Sequence, residues 1–385
     1  MLETKKVPAI RFNGFSIDWE QYKLSDILKR RQVYQQISTD APRLAFAAGQ
    51  GVIPLSERKT NNRDQLISNE AIKRYLLTEY NDLVYNPANL KYGAIDRNKY
   101  GKGVISPIYV TFTTTEEPSF IERIIITDRF KFKALQFEEG TVVKRQSVSP
   151  DSLLSFEEWI SPNREEQKQI GSFFDMLDNL IAFHQHKLET LTKAKKSMLK
   201  MMFPQGDAKV PEVRFAGFYD DWEQRKLSEL VTYTSSGLTA KDCKDVGEYA
   251  LYDANGFIGK TDASCISNDY ITVIKDGAGV GRIRKLPKNT MFIGTMGALQ
   301  AVNSDLDFIC SLLTRFSLGD QYSGSTIPHI YFKDYGNNEY LVPQREEQIA
   351  IGKYFMQIDH LIALHQHKQE KLKQLKASFL EKMFV

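Results

Sequence analysis

Two stretches of this chain are written twice. Residues 7–25 read VPAIRFNGFSIDWEQYKLS and residues 210–228 read VPEVRFAGFYDDWEQRKLS, with 13 of 19 positions identical at an offset of 203. Residues 164–203 and 345–384 share 22 of 40 positions at an offset of 181, both opening on REEQ and both carrying HQHK. The segments enclosed, roughly 26–160 and 229–341, share almost nothing visible. A long-period duplication fixes architecture before any local reading does. The duplication describes one scaffold, used twice, around two unlike inserts.

The second duplicated block reads as a long helix. Ile170, Phe174, Leu177, Ile181, His184, Leu188, Leu191, Lys195, Met198 and Met202 step by four and three throughout. Ile351, Phe355, Ile358, Ile362, His365, Gln369, Leu372, Lys376, Phe379 and Met383 repeat the seam. Spacing of this kind is a heptad pattern. Pro162 precedes the first helix, and Pro204 with Gly206 ends it. Forty residues make a helix of about 60 Å, and one apolar seam of that length needs a partner. The nearest partner is the other copy. Connectivity favours an antiparallel pair: its pseudo-twofold arrangement returns the end of helix two to the first VPxxRF block. An insert then lies at each end of a rod.

The inserts read as α/β (α+β) with a strand bias. RIIITDRF (123–130), YITVIKD (270–276) and MFIGT (291–295) are short apolar runs that predict strands. SNEAIKRYLLTEY (68–80) and DLDFICSLLTRF (305–316) predict helices. The expected division is a recognition domain at 1–160, a helical region at 161–203, a second recognition domain at 204–342 with its linker at 204–209, and a second helical region at 343–385.

Composition narrows the function classes. A net charge of +3 does not by itself mark a nucleic-acid binder, so any electrostatic footprint must be local. Cys243, Cys265 and Cys310 form no CxxC pair, which supports neither a zinc site nor a disulfide framework. No apolar run approaches the roughly 20 residues of a membrane span, and MLETKKVPAI lacks a signal-like stretch, so a cytoplasmic setting is expected.

The layout resembles the specificity (S) subunits of type I restriction–modification systems. The resemblance is carried by the duplicated REEQ…HQHK helices, the repeated DWEQxKLS lead-ins, and GSTIPHI at 324–330 shortly before the second helix. In the first insert TVVKRQSVSP (141–150) stands where the GSTIPHI wording would be. The resemblance implies two target-recognition domains joined by a long antiparallel two-helix coiled coil. It implies that each domain reads one half of a split, asymmetric double-stranded DNA target, with no chemistry in this chain. The partners it implies are methyltransferase subunits, expected as two, and restriction subunits, expected as two, with no membrane. The resemblance also implies no cofactor in this chain, with S-adenosylmethionine, ATP and Mg belonging to the partners.

Candidate DNA contacts follow from local charge. Lys91, Tyr92, Arg97, Lys99, Tyr100 and Lys102 lie in one twelve-residue run with two glycines. Cations neutralise phosphates and glycine permits close backbone approach; the alternative is a solvated loop. In the second insert, Lys275 precedes DGAGVG, and Arg282, Arg284 and Lys285 follow it. In a hairpin, alternation puts Arg282 and Arg284 on one face, suited to guanine edges or phosphates; the alternative is a charged edge strand. GAGVG lacks the Lys-Ser/Thr of a phosphate loop and reads as a tight turn. Asn86-Pro-Ala-Asn89 lacks the second Pro and the aromatic of an adenine-methyltransferase motif and also reads as a turn. Ser325, Thr326 and His329 of the GSTIPHI stretch complete the set. His184/His186 and His365/His367 stand two apart on a helix and point in opposed directions, so neither pair chelates a metal. His184 and His365 fall on the seam as polar register residues.

Two other classes stay open on these residues: a coiled-coil adaptor whose inserts bind proteins, and a nucleotide-dependent enzyme. The duplicated frame predicts modular reading. Exchanging 229–341 for the insert of a relative is expected to change one half of the target and leave the other intact. Methylation patterns of the swapped complex check this, and a change in both halves would contradict it.

Overall fold

The computed structural model describes residues 7–47, 49–58, 73–138, 147–324 and 327–385. It divides into two compact units, Met1–Phe183 with Lys368–Val385, and His184–His367. The units do not follow the four-part division expected from the sequence. Each takes a share of both long helices, because the helices pack directly on the inserts.

In the first unit a four-stranded antiparallel sheet runs in the order Leu28–Arg31, Val110–Thr114, Leu83–Tyr85, Ile95–Arg97. A second sheet orders Tyr34–Gln35, Tyr75–Thr78 and Gly103–Ile105. Helices Pro118–Ile125 and Asp128–Leu135 cover the larger sheet, and the core gathers Trp19, Tyr85, Phe112, Phe120, Phe130, Phe156 and Phe174.

The second unit repeats this plan. Its four-stranded antiparallel sheet runs Val231–Ser235, Met296–Ala301, Tyr270–Ile274, Ile283–Leu286, the same order of corresponding elements. Helix Leu306–Arg315 packs on it, and a three-stranded sheet orders Phe257–Thr261, Tyr249–Tyr252 and Thr290–Phe292. Inserts with no visible sequence likeness therefore share the order of their four-stranded sheet, while their smaller sheets differ.

Two expectations fail. RIIITDRF is not a strand: Pro118–Ile125 and Asp128–Leu135 are helices. Phe120, Ile121, Ile124 and Ile125 form a helical stripe behind Pro118, which starts the turn, and this spacing overrides the β-branched composition. The other failure is in SNEAIKRYLLTEY. Residues 68–72 lie outside the described residues, but Tyr75–Thr78 is a fully buried central strand rather than helix. A short run buried on both faces shows no alternation to mark it. By contrast YITVIKD and DLDFICSLLTRF form the expected strand and helix, while of MFIGT only Met291 and Phe292 are in a strand.

The long helices are Arg164–Met201 and Arg345–Lys382, and all twenty seam residues are buried or half-buried. They pack antiparallel. In the first unit Phe173 meets Phe379, and Asp178 pairs with Lys376. In the second, His184 Nδ1 lies 2.7 Å from His365 Nδ1, and Lys195 reaches Asp359 at 2.5 Å. Under the 181-residue offset the two ion pairs are the same pair.

The duplicated residues do one job twice. Glu166 is fully buried and accepts from Arg11, from Trp19 Nε1 at 3.3 Å and from Ser161 Oγ at 2.5 Å. Glu347 accepts from Arg214 at 2.8 and 2.7 Å. The next residue ties down the insert: Gln167 Oε1 accepts the amide of Glu117, and Gln348 Oε1 accepts that of Asp305, each the residue before an insert helix. The lead-in strands Glu20–Lys23 and Glu223–Lys226 pair with Glu157–Ile160 and Glu339–Val342. Met201 O accepts Val213 N at 2.9 Å in the second unit, and Lys382 O accepts Ile10 N at 2.9 Å in the first. The end of helix two does return to the first VPxxRF block.

Gly352 sits where a Cβ would come within 2.7 Å of Phe308 N and 3.0 Å of the Asp307 carbonyl carbon. Alanine is favoured over glycine inside a helix by about 1 kcal/mol, so Gly352→Ala would stabilise an uncrowded site. Here the clash is with backbone that cannot swing away, and overpacking costs about 1–3 kcal/mol. The expected result is net destabilisation in urea unfolding. A more stable variant would show that the insert helix is not clamped there.

Candidate nucleic-acid interface

The Lys91–Lys102 run is built as two tight turns around an edge strand. Pro87–Tyr92 is a short 3-10 helix, opened by the Asn86 side chain accepting Ala88 N at 3.1 Å and closed by Gly93 at φ +75°. This is the turn expected of Asn86-Pro-Ala-Asn89. After strand Ile95–Arg97, buried Asn98 accepts from the amides of Tyr100 (2.9 Å) and Gly101 (3.1 Å) and donates to Thr78 Oγ1 (3.0 Å). The turns hold Tyr92 and Tyr100 outward, 73% and 52% exposed.

The cations of this run are differently placed from the expectation of free surface charge. Arg97 is only 5% exposed; it donates to Glu122 (2.7 Å), Asn81 (2.9 Å) and both oxygens of Asp175 (2.7 and 2.8 Å). As a DNA contact it is corrected to a buried structural ion. Lys99 pairs with Glu122 at 2.5 Å, Lys91 with Glu138 at 3.2 Å, and Lys102 with Asp40. Arg123, also buried, joins the network through Asp175 (2.6 Å) and Asp178 (2.7 Å) on the long helix. The network replaces water around charges that burial alone would expel. Burial pushes the Glu122 carboxyl up, but Arg123, Lys99 and Arg97 outweigh it and hold it at about 2.

Asp96 sits beside them with a poorer balance. Burial pushes its carboxyl up to about 6, against a partial pull from Lys99 and a further push from Glu122.

In the second unit the hairpin turn between Tyr270–Ile274 and Ile283–Leu286 uses Gly277, Gly279 and Gly281 at φ +84°, +82° and +80°. GAGVG is thus the tight turn expected. Arg282 and Arg284 do share a face, since both donate to the Ala254 carbonyl, and Arg284 also donates to Asn255 O at 3.1 Å. Lys285 lies on the opposite side, paired with Asp307 of helix Leu306–Arg315 at 2.5 Å, and so braces the fold.

The GSTIPHI stretch docks against this turn. Ser323 and His329 exchange two backbone bonds of 2.8 Å, Gly277 N donates to Pro328 O at 3.0 Å, and Ile330 N donates to Lys275 O at 2.9 Å. His329 Nδ1 meets Asp276 Oδ1 at 2.6 Å, and its ring stacks on Tyr331. Lys275, His329, Arg282 and Arg284 therefore border one turn. Ser325 and Thr326 lie outside the described residues. The first unit docks its counterpart similarly, Val148 N donating to Pro87 O at 3.0 Å. TVVKRQSVSP thus ends where the GSTIPHI segment ends, although 141–146 fall outside the described residues.

With this geometry established, the chain can be set beside the known proteins it resembles. Residues 219–374 match the family described as the type I restriction modification DNA specificity domain. The chain carries a type I restriction modification DNA specificity domain. The specificity domain spans the second insert and much of the second helix. Two Methanocaldococcus jannaschii proteins align with this chain: the type I restriction enzyme MjaVIII specificity subunit at 25% identity, and the putative type I restriction enzyme MjaX specificity subunit at 23%. Each alignment covers 57% of this chain, with 59% and 56% of the relatives, less than two thirds of either. The fold matches the crystal structure of a type I restriction–modification S subunit from M. genitalium with a TM-score of 0.71. That match covers 98% of this chain and 99% of the other at 16% identity. The resemblance read from the duplicated helices, the DWEQxKLS lead-ins and GSTIPHI holds. Among the described residues, no helix is long and apolar enough to cross a membrane.

Asp96 supplies a pH-dependent test of the first unit. An acid whose folded pKa lies above its unfolded value of 3.8 binds more protons folded than unfolded. Its stabilising contribution is complete below pH 3.8 and lost as pH rises through about 6. Asp96→Asn, which keeps the acceptor for Arg97 N, is expected to raise stability at pH 7 by on the order of 1–2 kcal/mol. The gain should shrink toward zero near pH 4. Unfolding curves at both pH values measure it, and a pH-independent difference would contradict the assignment.

Proposed function

We propose that this chain is the DNA-reading subunit of a type I restriction–modification complex. Each unit reads one half of a bipartite, asymmetric target, and the chain itself performs no chemistry. The observation that carries this reading is the match of residues 219–374 to the specificity domain, in a chain whose other insert repeats the same sheet and helix plan. A common scaffold with unlike loops suits two readers of different sequence.

The frame offers a basis for partner stoichiometry. Leu180 and Phe183 of the first unit are exposed on their helix, and Leu361 and Leu364 of the second occupy the same positions under the 181-residue offset. Each pair is three residues apart and so shares one face of its helix, an exposed apolar surface of the kind that docks a partner. Each would take one methyltransferase subunit, two in all, bringing S-adenosylmethionine chemistry to the bound site. Restriction subunits, with ATP and Mg, would join this core. A cytoplasmic setting fits these partners.

A protein-binding adaptor would share the frame but not the salt response. Phosphate contacts release counterions, so affinity of the assembled methyltransferase for DNA should fall steeply with salt. Flat salt dependence, or no DNA binding, would overturn the proposal. The docking surfaces give a second expectation. Leu361→Asp combined with Leu364→Asp should leave one methyltransferase subunit per chain in native mass spectrometry, where the unaltered chain holds two. Retention of both would place docking elsewhere.

A further inference from the structure

The arginine pair of the second unit leads to a reading element outside the residues singled out above. Strands Tyr249–Tyr252 and Phe257–Thr261 are joined by the turn Asp253-Ala-Asn-Gly256. Asp253 Oδ1 accepts from the amides of Asn255 (2.7 Å) and Gly256 (2.8 Å), and Asp253 N donates to Gly256 O at 2.8 Å. From outside the turn, Arg282 and Arg284 donate to the carbonyl of Ala254, and Arg284 also to that of Asn255. The backbone of four residues is thus held from within by a carboxylate and from without by two guanidinium groups.

The consequence falls on one side chain. Asn255 is exposed, and among the described residues its side-chain amide makes no hydrogen bond, the backbone N–H and C=O being the groups tied into the turn. A side-chain amide pairs a donor and an acceptor in one plane, the complement of adenine N7 and N6 in the major groove. Such a contact discriminates only if the group is already oriented, and here the turn is rigid before any ligand arrives. The arginines stand otherwise. Each already donates to the turn, and their remaining N–H groups and charge suit a phosphate, which positions without reading sequence. Phe257, 59% exposed and next along the chain, adds an apolar surface of the kind that packs on a thymine methyl.

We propose that Asn255 reads an adenine in the half-site of the second unit, and that Arg282 and Arg284 are positioning residues for its turn. The proposal rests on the DNA-reading function above. The test uses the assembled methyltransferase and a set of duplexes in which each position of the target is varied in turn. Asn255→Ala is expected to lower the preference for adenine at one position of one half-site by about ten- to a hundred-fold. The other half-site and the salt slope should be unchanged. Arg282→Ala with Arg284→Ala should weaken methylation of all duplexes together and relax preference, in part, only at the adenine that Asn255 reads. Full adenine preference in Asn255→Ala would overturn the proposal, as would relaxation at a position that is not adenine. Relaxation at a guanine in the arginine variant would make the arginines the readers and overturn it too. The unaltered complex separates the two levels: absence of any base preference there overturns DNA reading itself, whereas intact preference with a silent Asn255→Ala overturns only the assignment of Asn255.

Discussion

A buried carboxylate at the start of each long helix holds the architecture together. Glu166 and Glu347 have almost no exposed surface, and an unpaired charge in that position would cost several kcal/mol. Each is therefore obliged to find an arginine, and the arginine comes from the VPxxRF block more than 130 residues earlier in the chain. The adjoining glutamine binds the start of the insert helix, and the glycine a turn later lets that helix approach the long one. Lead-in, insert and long helix are thus fixed by a handful of residues at the two margins of each insert. The long seam continues from this anchored end, with its polar layers paired within each unit.

Such an arrangement leaves the insert interiors lightly constrained in sequence. A core needs apolar residues of suitable volume at inward positions, not particular side chains. Phe112 does for one central strand what Leu299 does for its counterpart. The loops between strands are constrained even less. One unit places a short 3-10 helix with outward tyrosines where the other places a glycine turn bordered by arginines. Variation is concentrated at the surface that could face a ligand, while the frame stays constant.

Much of this was legible in the sequence because it depends on periodicity or on punctuation. The seam residues, the helix ends at Pro162 and Pro204, the GAGVG turn and the shared face of Arg282 and Arg284 are all local patterns. Arg11, Trp19 and Glu166 lie in the duplicated blocks with Arg214, Trp222 and Glu347 as counterparts, but repetition does not say what they touch. What was not legible depends on distant partners. Arg97 reads like any other cation in a basic run until Glu122 and Asp175, 25 and 78 residues away, close around it. RIIITDRF has strand composition and helical spacing, and packing against the sheet chose the spacing. Asn255 carried a visible signal, the Asn-Gly of a turn. Its importance came only from the arginines that brace it 27 and 29 residues further on.

The central claim is that two units of one fold each read a separate piece of DNA. Base-resolved mapping of methylated adenines, in cells that carry this chain with its methyltransferase partners, tests it most directly. The account predicts a target of two short defined segments, different in sequence, separated by a fixed number of unspecified base pairs. A single uninterrupted target, or methylation without sequence preference, would contradict it.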